Sequence, residues 1–154
     1  MPGAFLVASL VLALPLALLS AIDVRTFTLP DVLTYPLLLA GFIFCAVFQW
    51  DSLANHVIAA ALGYLAFGTL AVGYEILRGR PGMGMGDAKL LAVSGAWLGL
   101  AELPPVVLIA SLTALIAVLV QSIGGRTFTA ETRIPFGPCL AFGTWLVWLY
   151  GVPL

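Results

Sequence analysis

The chain has 154 residues, of which 62% are hydrophobic and 8% are charged, and its net charge at pH 7 is −1. Soluble domains carry about 25% charged residues, so this composition excludes a water-soluble domain and predicts a polytopic membrane protein. The charge also excludes the basic stripe that nucleic-acid binding requires. Cys45 and Cys139 stand in apolar stretches without metal-ligand spacing, so we expect no zinc site, no disulfide framework and no cofactor.

Apolar runs of about 20 residues are long enough to cross a bilayer as helices. We predict six spans, which cover residues 3–22, 33–50, 53–77, 88–103, 104–123 and 135–153. Only Glu102 and a proline pair divide the fourth span from the fifth. No cation precedes the first span, which is therefore predicted to be a retained helix and not a cleaved signal peptide. The predicted fold is an all-α bundle of six transmembrane helices.

The charges of the connecting loops differ between the two sides of this bundle. The loops after the first, third and fifth spans carry the cations Arg25, Arg78, Arg80, Arg126 and Arg133. The opposite loops carry Asp51, His56 and Glu102 and no Lys or Arg. The positive-inside rule then predicts that the arginine-bearing loops are cytoplasmic and that both termini are outside. Because two spans separate Asp23 from Asp87, both acids are expected at the cytoplasmic face.

These two carboxylates stand at the ends of apolar segments, where a charged group is costly and marks a functional site. Asp23 ends the first span, and Asp87 begins the fourth after the run Gly82-Met83-Gly84-Met85-Gly86. Gly84 and Gly86 permit positive φ and leave the backbone without side chains. We therefore expect these glycines to let an extended substrate approach closely, in a mobile loop that substrate orders.

Two carboxylates brought close together share a proton and titrate as a unit. The ionised acid then activates a water and the protonated acid polarises the scissile carbonyl, which is aspartic protease chemistry. Asp31 competes with Asp23 for the first role, but its position after Pro30 favours an N-cap of the second helix. Lys89 is expected to extend its ammonium to the membrane surface, with a supporting role beside Asp87 as the alternative.

Three sequence elements resemble those of a known family. The segment Gly84-Met85-Gly86-Asp87-Ala88-Lys89-Leu90 resembles the GxGDxKL element of the type IV prepilin peptidases, which are GxGD intramembrane aspartyl proteases. The segment from Asp23 to Thr34 resembles their first-aspartate element, in which an Asp or Asn follows eight residues later, before Leu-Thr. Residues 134–138, Ile-Pro-Phe-Gly-Pro, resemble the run that opens their last helix.

The resemblance implies a membrane-embedded aspartic endopeptidase with Asp23 and Asp87 as its catalytic pair, and with Gly84 and Gly86 shaping the substrate loop. Its substrate would be a prepilin or pseudopilin precursor, cut on the cytoplasmic side of the bacterial cytoplasmic membrane. Larger members also carry a methyltransferase part with paired CxxC motifs. Residues 1–154 contain no such motif, so we expect a single peptidase domain, similar to the compact members of tight-adherence (Flp-type) pilus systems.

Two other classes of function stay open. A small proton-coupled transporter would use Asp23 and Asp87 as a proton relay. Such transporters usually place carboxylates near mid-membrane and are built from paired repeats, and neither feature is evident in this sequence. The other alternative is a non-enzymatic assembly factor of a pilus or secretion machine.

Overall fold

The structure is a computed structural model that describes residues 2–79, 84–125 and 134–151. Its six helices are α1 (Pro2–Thr26), α2 (Asp31–Phe48), α3 (Leu53–Arg78), α4 (Met85–Leu98), α5 (Leu103–Ile123) and α6 (Gly137–Gly151). Short 3-10 turns at Trp50–Ser52 and Leu100–Glu102 precede α3 and α5. The predicted all-α fold of six helices is confirmed. Several residues of the predicted loops lie outside the described residues, namely Arg80, Gly82, Met83, Arg126 and Arg133.

Four of the described helices are long and apolar enough to cross a membrane. These candidate spans are Phe5–Thr26, Asp31–Phe48, Trp50–Arg78 and Leu100–Ile123. The helices α4 and α6 have 14 and 15 residues, which is shorter than the predicted fourth and sixth spans. At about 1.5 Å per residue they extend about 21 and 22 Å, less than the hydrocarbon core of about 30 Å.

The short helix α4 is enclosed by the other helices. Eleven of its 14 residues are buried, and it contacts α2, α3, α5 and α6. Glycines bring α3 and α4 together: a Cβ on Gly95 would lie 2.5 Å from the carbonyl carbon of Ala59, and one on Gly63 would lie 3.0 Å from the carbonyl oxygen of Leu91. Membrane helices commonly associate through such small residues.

An aromatic cluster fills the end of the bundle where α4 and α6 finish. The rings of Trp97 and Trp148 meet edge to face with centroids 5.5 Å apart. Trp97 donates its indole N–H to the Leu37 carbonyl at 2.8 Å, and Trp148 donates to the Ser9 hydroxyl at 2.9 Å. These bonds satisfy the buried indole groups and tie α4 to α2 and α6 to α1.

Candidate active site

Asp23 lies in the last turn of α1, and only 6% of its surface is exposed. The helix continues past it to Thr26. The chain then turns at Phe27, whose φ of +52° is in the left-handed region that bulky residues rarely adopt. After this turn the chain enters α2 at Asp31. The reversal leaves the Asp23 side chain inside the bundle.

The Asp23 carboxylate is bound by the first backbone N–H of α6. Gly137 donates this N–H to Asp23 Oδ2 at 3.1 Å. The first N–H groups of a helix have no partner within the helix, so the bond satisfies both groups. Gly137 is the first residue of α6, two residues inside the predicted sixth span. Its contact with Asp23 was not predicted, because the two residues lie 114 positions apart in the chain.

Asp87 lies in the first turn of α4, as predicted, and is 8% exposed. Its backbone N–H donates to the Gly84 carbonyl at 3.1 Å. Within the described ranges its carboxylate accepts no hydrogen bond and forms no salt bridge. The Asp87 carboxyl group lies within electrostatic range of that of Asp23. The structure therefore brings together the two acids that the sequence singles out.

Cys139 joins this site from the first turn of α6. It is a free thiol, 8% exposed, and it lies close enough to both carboxylates to be affected by their charges. Cys139 stands in an apolar stretch of the sequence, and its burial agrees with that position. Its position beside the acids could not be predicted, because no local motif links it to either of them.

Gly84 and Gly86 do not use the positive φ that glycine permits. Gly84 is extended, with φ −75° and ψ 141°, and Gly86 is already part of α4. Position 86 has no space for a larger residue, because a Cβ there would lie 2.9 Å from both Cβ and Cδ1 of Leu29. The helix α4 begins at Met85, before the predicted fourth span, so Gly86 has helical backbone.

Asp31 does not cap α2. The N-cap residue is Pro30, and no side chain caps the helix. Asp31 is the first helical residue, and its carboxylate forms a salt bridge with the ammonium of Lys89. That ammonium also lies 5.5 Å from the centre of the Tyr35 ring. The cap prediction was therefore wrong, and Lys89 links α4 to α2 and makes no salt bridge with Asp87.

A buried hydroxyl pair joins α4 to α6 two helical turns from the acids. Ser94 Oγ and Thr144 Oγ1 lie 2.6 Å apart, and both residues are fully buried. Ser94 follows Asp87 by seven residues and Thr144 follows Gly137 by seven. Seven residues are nearly two turns, so each hydroxyl shares a helix face with a residue of the site. The contact between Ser94 and Thr144 therefore fixes how the face of α4 that carries Asp87 aligns with the face of α6 that carries Gly137.

Within the described ranges, no group of three or more His, Cys, Asp or Glu side chains is placed to hold a metal ion. His56, the one histidine of the sequence, lies in the first turn of α3 at the other end of the bundle. Its Nδ1 is 3.0 Å from the Ala96 carbonyl oxygen, which is a structural contact between α3 and α4.

Comparison with known proteins identifies the family. The sequence model of the type IV leader peptidase family matches residues 10–119. This chain belongs to the type IV leader peptidase family. No solved structure matches it.

The chain is also similar to curated prepilin leader peptidase/N-methyltransferases. It is 41% identical to that of Aeromonas hydrophila over 150 residues, which are 97% of this chain and 51% of the relative. It is 42% identical to that of Burkholderia pseudomallei (strain K96243) over 152 residues, 99% of this chain and 49% of the relative. It is 38% identical to that of Neisseria gonorrhoeae over 139 residues, which are 90% of this chain and 46% of the relative. The chain thus spans about half the length of these relatives.

Proposed function

We propose that this chain is a prepilin leader peptidase, an aspartic endopeptidase that hydrolyses the leader of type IV prepilin-like precursors within the membrane. The observation that carries the proposal is the burial of Asp23 and Asp87, within electrostatic reach of each other, at one end of an apolar helix bundle. Family membership and the names of the relatives support it. The proposal concerns hydrolysis, with residues 1–154 acting as one peptidase domain.

In this mechanism one acid of the pair is ionised and the other is protonated, because two adjacent carboxylates do not readily ionise together. The ionised acid removes a proton from a water, which attacks the scissile carbonyl carbon. The protonated acid donates a hydrogen bond to the carbonyl oxygen and stabilises the developing charge. A proton is then delivered to the amide nitrogen and the C–N bond breaks.

The segment from Gly84 to Gly86 is proposed to bind the extended part of the precursor. Gly84 is exposed and has an extended backbone just before α4. A Cβ at this position would meet nothing closer than the Gly86 nitrogen at 3.8 Å. The backbone of a substrate therefore has room to approach Gly84, next to the turn of helix that carries Asp87.

The active site is proposed to face the cytoplasm, in a multi-pass protein of the bacterial cytoplasmic membrane with both termini outside. Arg25, Arg78 and Lys89 lie at the helix ends nearest the two acids. Asp51 and Glu102 lie in the turns at the other end. Cations accumulate on the cytoplasmic side of membrane proteins, and this distribution supports the orientation.

Co-expression with a candidate prepilin tests the proposed function, with precursor size followed by gel electrophoresis. The wild-type chain should shorten the precursor, whereas Asp23→Asn and Asp87→Asn should each leave it intact while inserting normally. Asp31→Asn is the matched control, because it also removes a carboxylate from this end of the bundle. The Asp31 side chain is 52% exposed and forms a salt bridge with Lys89. An unprocessed precursor beside the wild-type chain would contradict the peptidase assignment.

A further inference from the structure

We propose that Gly137 is a positioning residue for the peptidase reaction. Its N–H and its lack of a side chain together hold the Asp23 carboxylate in the orientation that hydrolysis requires. The inference rests on the proposed function and adds to it a residue that acts through Asp23.

The orientation of the Asp23 carboxylate depends on one hydrogen bond. The Gly137 N–H donates to Oδ2 at 3.1 Å, and no other described group donates to this carboxylate or forms a salt bridge with it. Asp23 is only 6% exposed. A buried carboxylate with a single fixed donor takes its direction from that donor. Because Gly137 N–H belongs to the helix backbone, it is a rigid donor.

The Asp23 carboxylate occupies the space that a side chain on residue 137 would need. A Cβ on residue 137 would lie 2.6 Å from Asp23 Oδ2 and 2.9 Å from its Cγ. Both atoms are at the end of a side chain that is able to rotate. A methyl group at residue 137 would therefore push the carboxylate aside and weaken the bond to the N–H, at little cost to the packing of the helices.

Helix α6 has little freedom to move away from Asp23 if residue 137 carries a methyl group. Its Thr144 is paired with Ser94 of α4, and its Trp148 donates to Ser9 of α1. These contacts hold α6 between the two helices that carry the acids. The strain of an added methyl group at residue 137 consequently falls on the Asp23 side chain.

Gly143 of the same helix supplies a matched control. A Cβ there would lie 2.7 Å from the carbonyl oxygen of Val106 in α5, a clash as close as that at Gly137. This clash involves helix backbone, which does not move without loss of packing. Gly143→Ala should therefore destabilise the fold and leave Asp23 in place, the opposite of the effect expected for Gly137→Ala. Gly68→Ala is the neutral control, because its Cβ would meet Met85 Cε at an ordinary 3.9 Å.

The experiment measures kcat and KM on a purified precursor, and the unfolding temperature in detergent, for the wild-type chain and these three variants. Gly137→Ala should lower kcat about 100-fold, the loss typical of a misplacement by about 1 Å, with nearly unchanged KM and unfolding temperature. Gly143→Ala should lower the unfolding temperature and keep kcat per folded molecule. Gly68→Ala should match the wild-type chain in both measurements.

Three outcomes overturn the inference alone, provided that the wild-type chain is active. They are a wild-type kcat for Gly137→Ala, an equal loss of kcat in Gly143→Ala, and a lower stability of Gly137→Ala than of Gly143→Ala. If Gly143→Ala fails to accumulate, that is the extreme of its expected instability, and Gly68→Ala becomes the reference for kcat. A wild-type chain that cleaves no precursor overturns the proposed function and this inference together.

Discussion

Two glycines of the site, Gly86 and Gly137, lack side chains because other residues occupy the space that a Cβ would fill. At Gly86 the occupant is Leu29, at 2.9 Å, and at Gly137 it is Asp23, at 2.6 Å. The first contact sets how closely the start of α4 packs on the connection between α1 and α2. The second determines where one proposed catalytic carboxylate lies. Close packing, and not backbone flexibility, explains both glycines.

Gly86→Ala should therefore destabilise the protein, whereas Gly84→Ala should not. The added methyl group at residue 86 overpacks Leu29, and such overpacking costs about 1–3 kcal/mol. At residue 84 the nearest atom would be 3.8 Å away. Thermal or denaturant unfolding in detergent measures the difference. Equal stability of the two variants would contradict the packing assigned to Gly86.

At the scale of single residues, the sequence singles out Asp23 and Asp87 as candidate site residues, since a carboxylate at the end of an apolar segment is conspicuous in a chain with few charges. The sequence does not predict the contact that Asp31 makes. The predicted N-cap followed from the neighbouring Pro30, whereas the partner of Asp31 is Lys89, 58 residues away. Contacts over such distances depend on how the helices pack, which local sequence does not report.

At the scale of elements, α4 and α6 carry the register of the site. The hydroxyls of Ser94 and Thr144 lie 2.6 Å apart, and each also lies within hydrogen-bond distance of a carbonyl of its own helix, at 3.0 and 2.8 Å. Losing one hydroxyl therefore leaves the other with a backbone acceptor. The pair contributes modestly to stability, and its main consequence is the alignment of the faces that carry Asp87 and Gly137.

A double-mutant cycle with Ser94→Ala and Thr144→Val measures this contact. Interhelical hydrogen bonds in membranes contribute about 0.6 kcal/mol on average and up to about 1.7 kcal/mol, so we expect a coupling energy in that range. The free energy of unfolding of the four proteins in detergent provides it. A coupling energy of zero would show that the two hydroxyls do not interact across the helix interface.

The six helices could be predicted because each is an apolar run, but the ends of α4 could not. The predicted fourth span continues to residue 103, whereas the helix ends at Leu98. Gly99 then adopts φ +88° and the chain forms a 3-10 turn. Hydropathy does not register this break, because Leu100, Ala101 and Leu103 continue the apolar pattern.

At the scale of the whole molecule, charge determines the orientation that we propose. The α1–α2 connection lies at the end of the bundle that carries the acids and Arg25, and the turn at Trp50–Ser52 lies at the other end. Both connections contain exposed residues, Thr28 and Asp51 respectively. The two native cysteines are buried, so cysteines introduced at these two exposed positions should report the orientation over a low background.

In intact cells, a membrane-impermeant maleimide should label Asp51→Cys, and it should label Thr28→Cys only after the membrane is opened. The wild-type chain, with Cys45 and Cys139 buried, is the control for background labelling. Labelling of Thr28→Cys in intact cells, with protection of Asp51→Cys, would place the acids on the outer side and contradict the proposed orientation.

We propose that Asp23 and Asp87 act together as the catalytic pair. The most direct test of this pairing is the single-turnover rate of leader cleavage by the purified chain and by Asp23→Asn, Asp87→Asn and Asp31→Asn. Each of the first two should lower the rate about 10²–10⁴-fold, the contribution of a general acid or base. Asp31→Asn should retain most of the rate, because a surface salt bridge contributes about 0–1 kcal/mol. Wild-type cleavage by Asp23→Asn or Asp87→Asn would contradict the account.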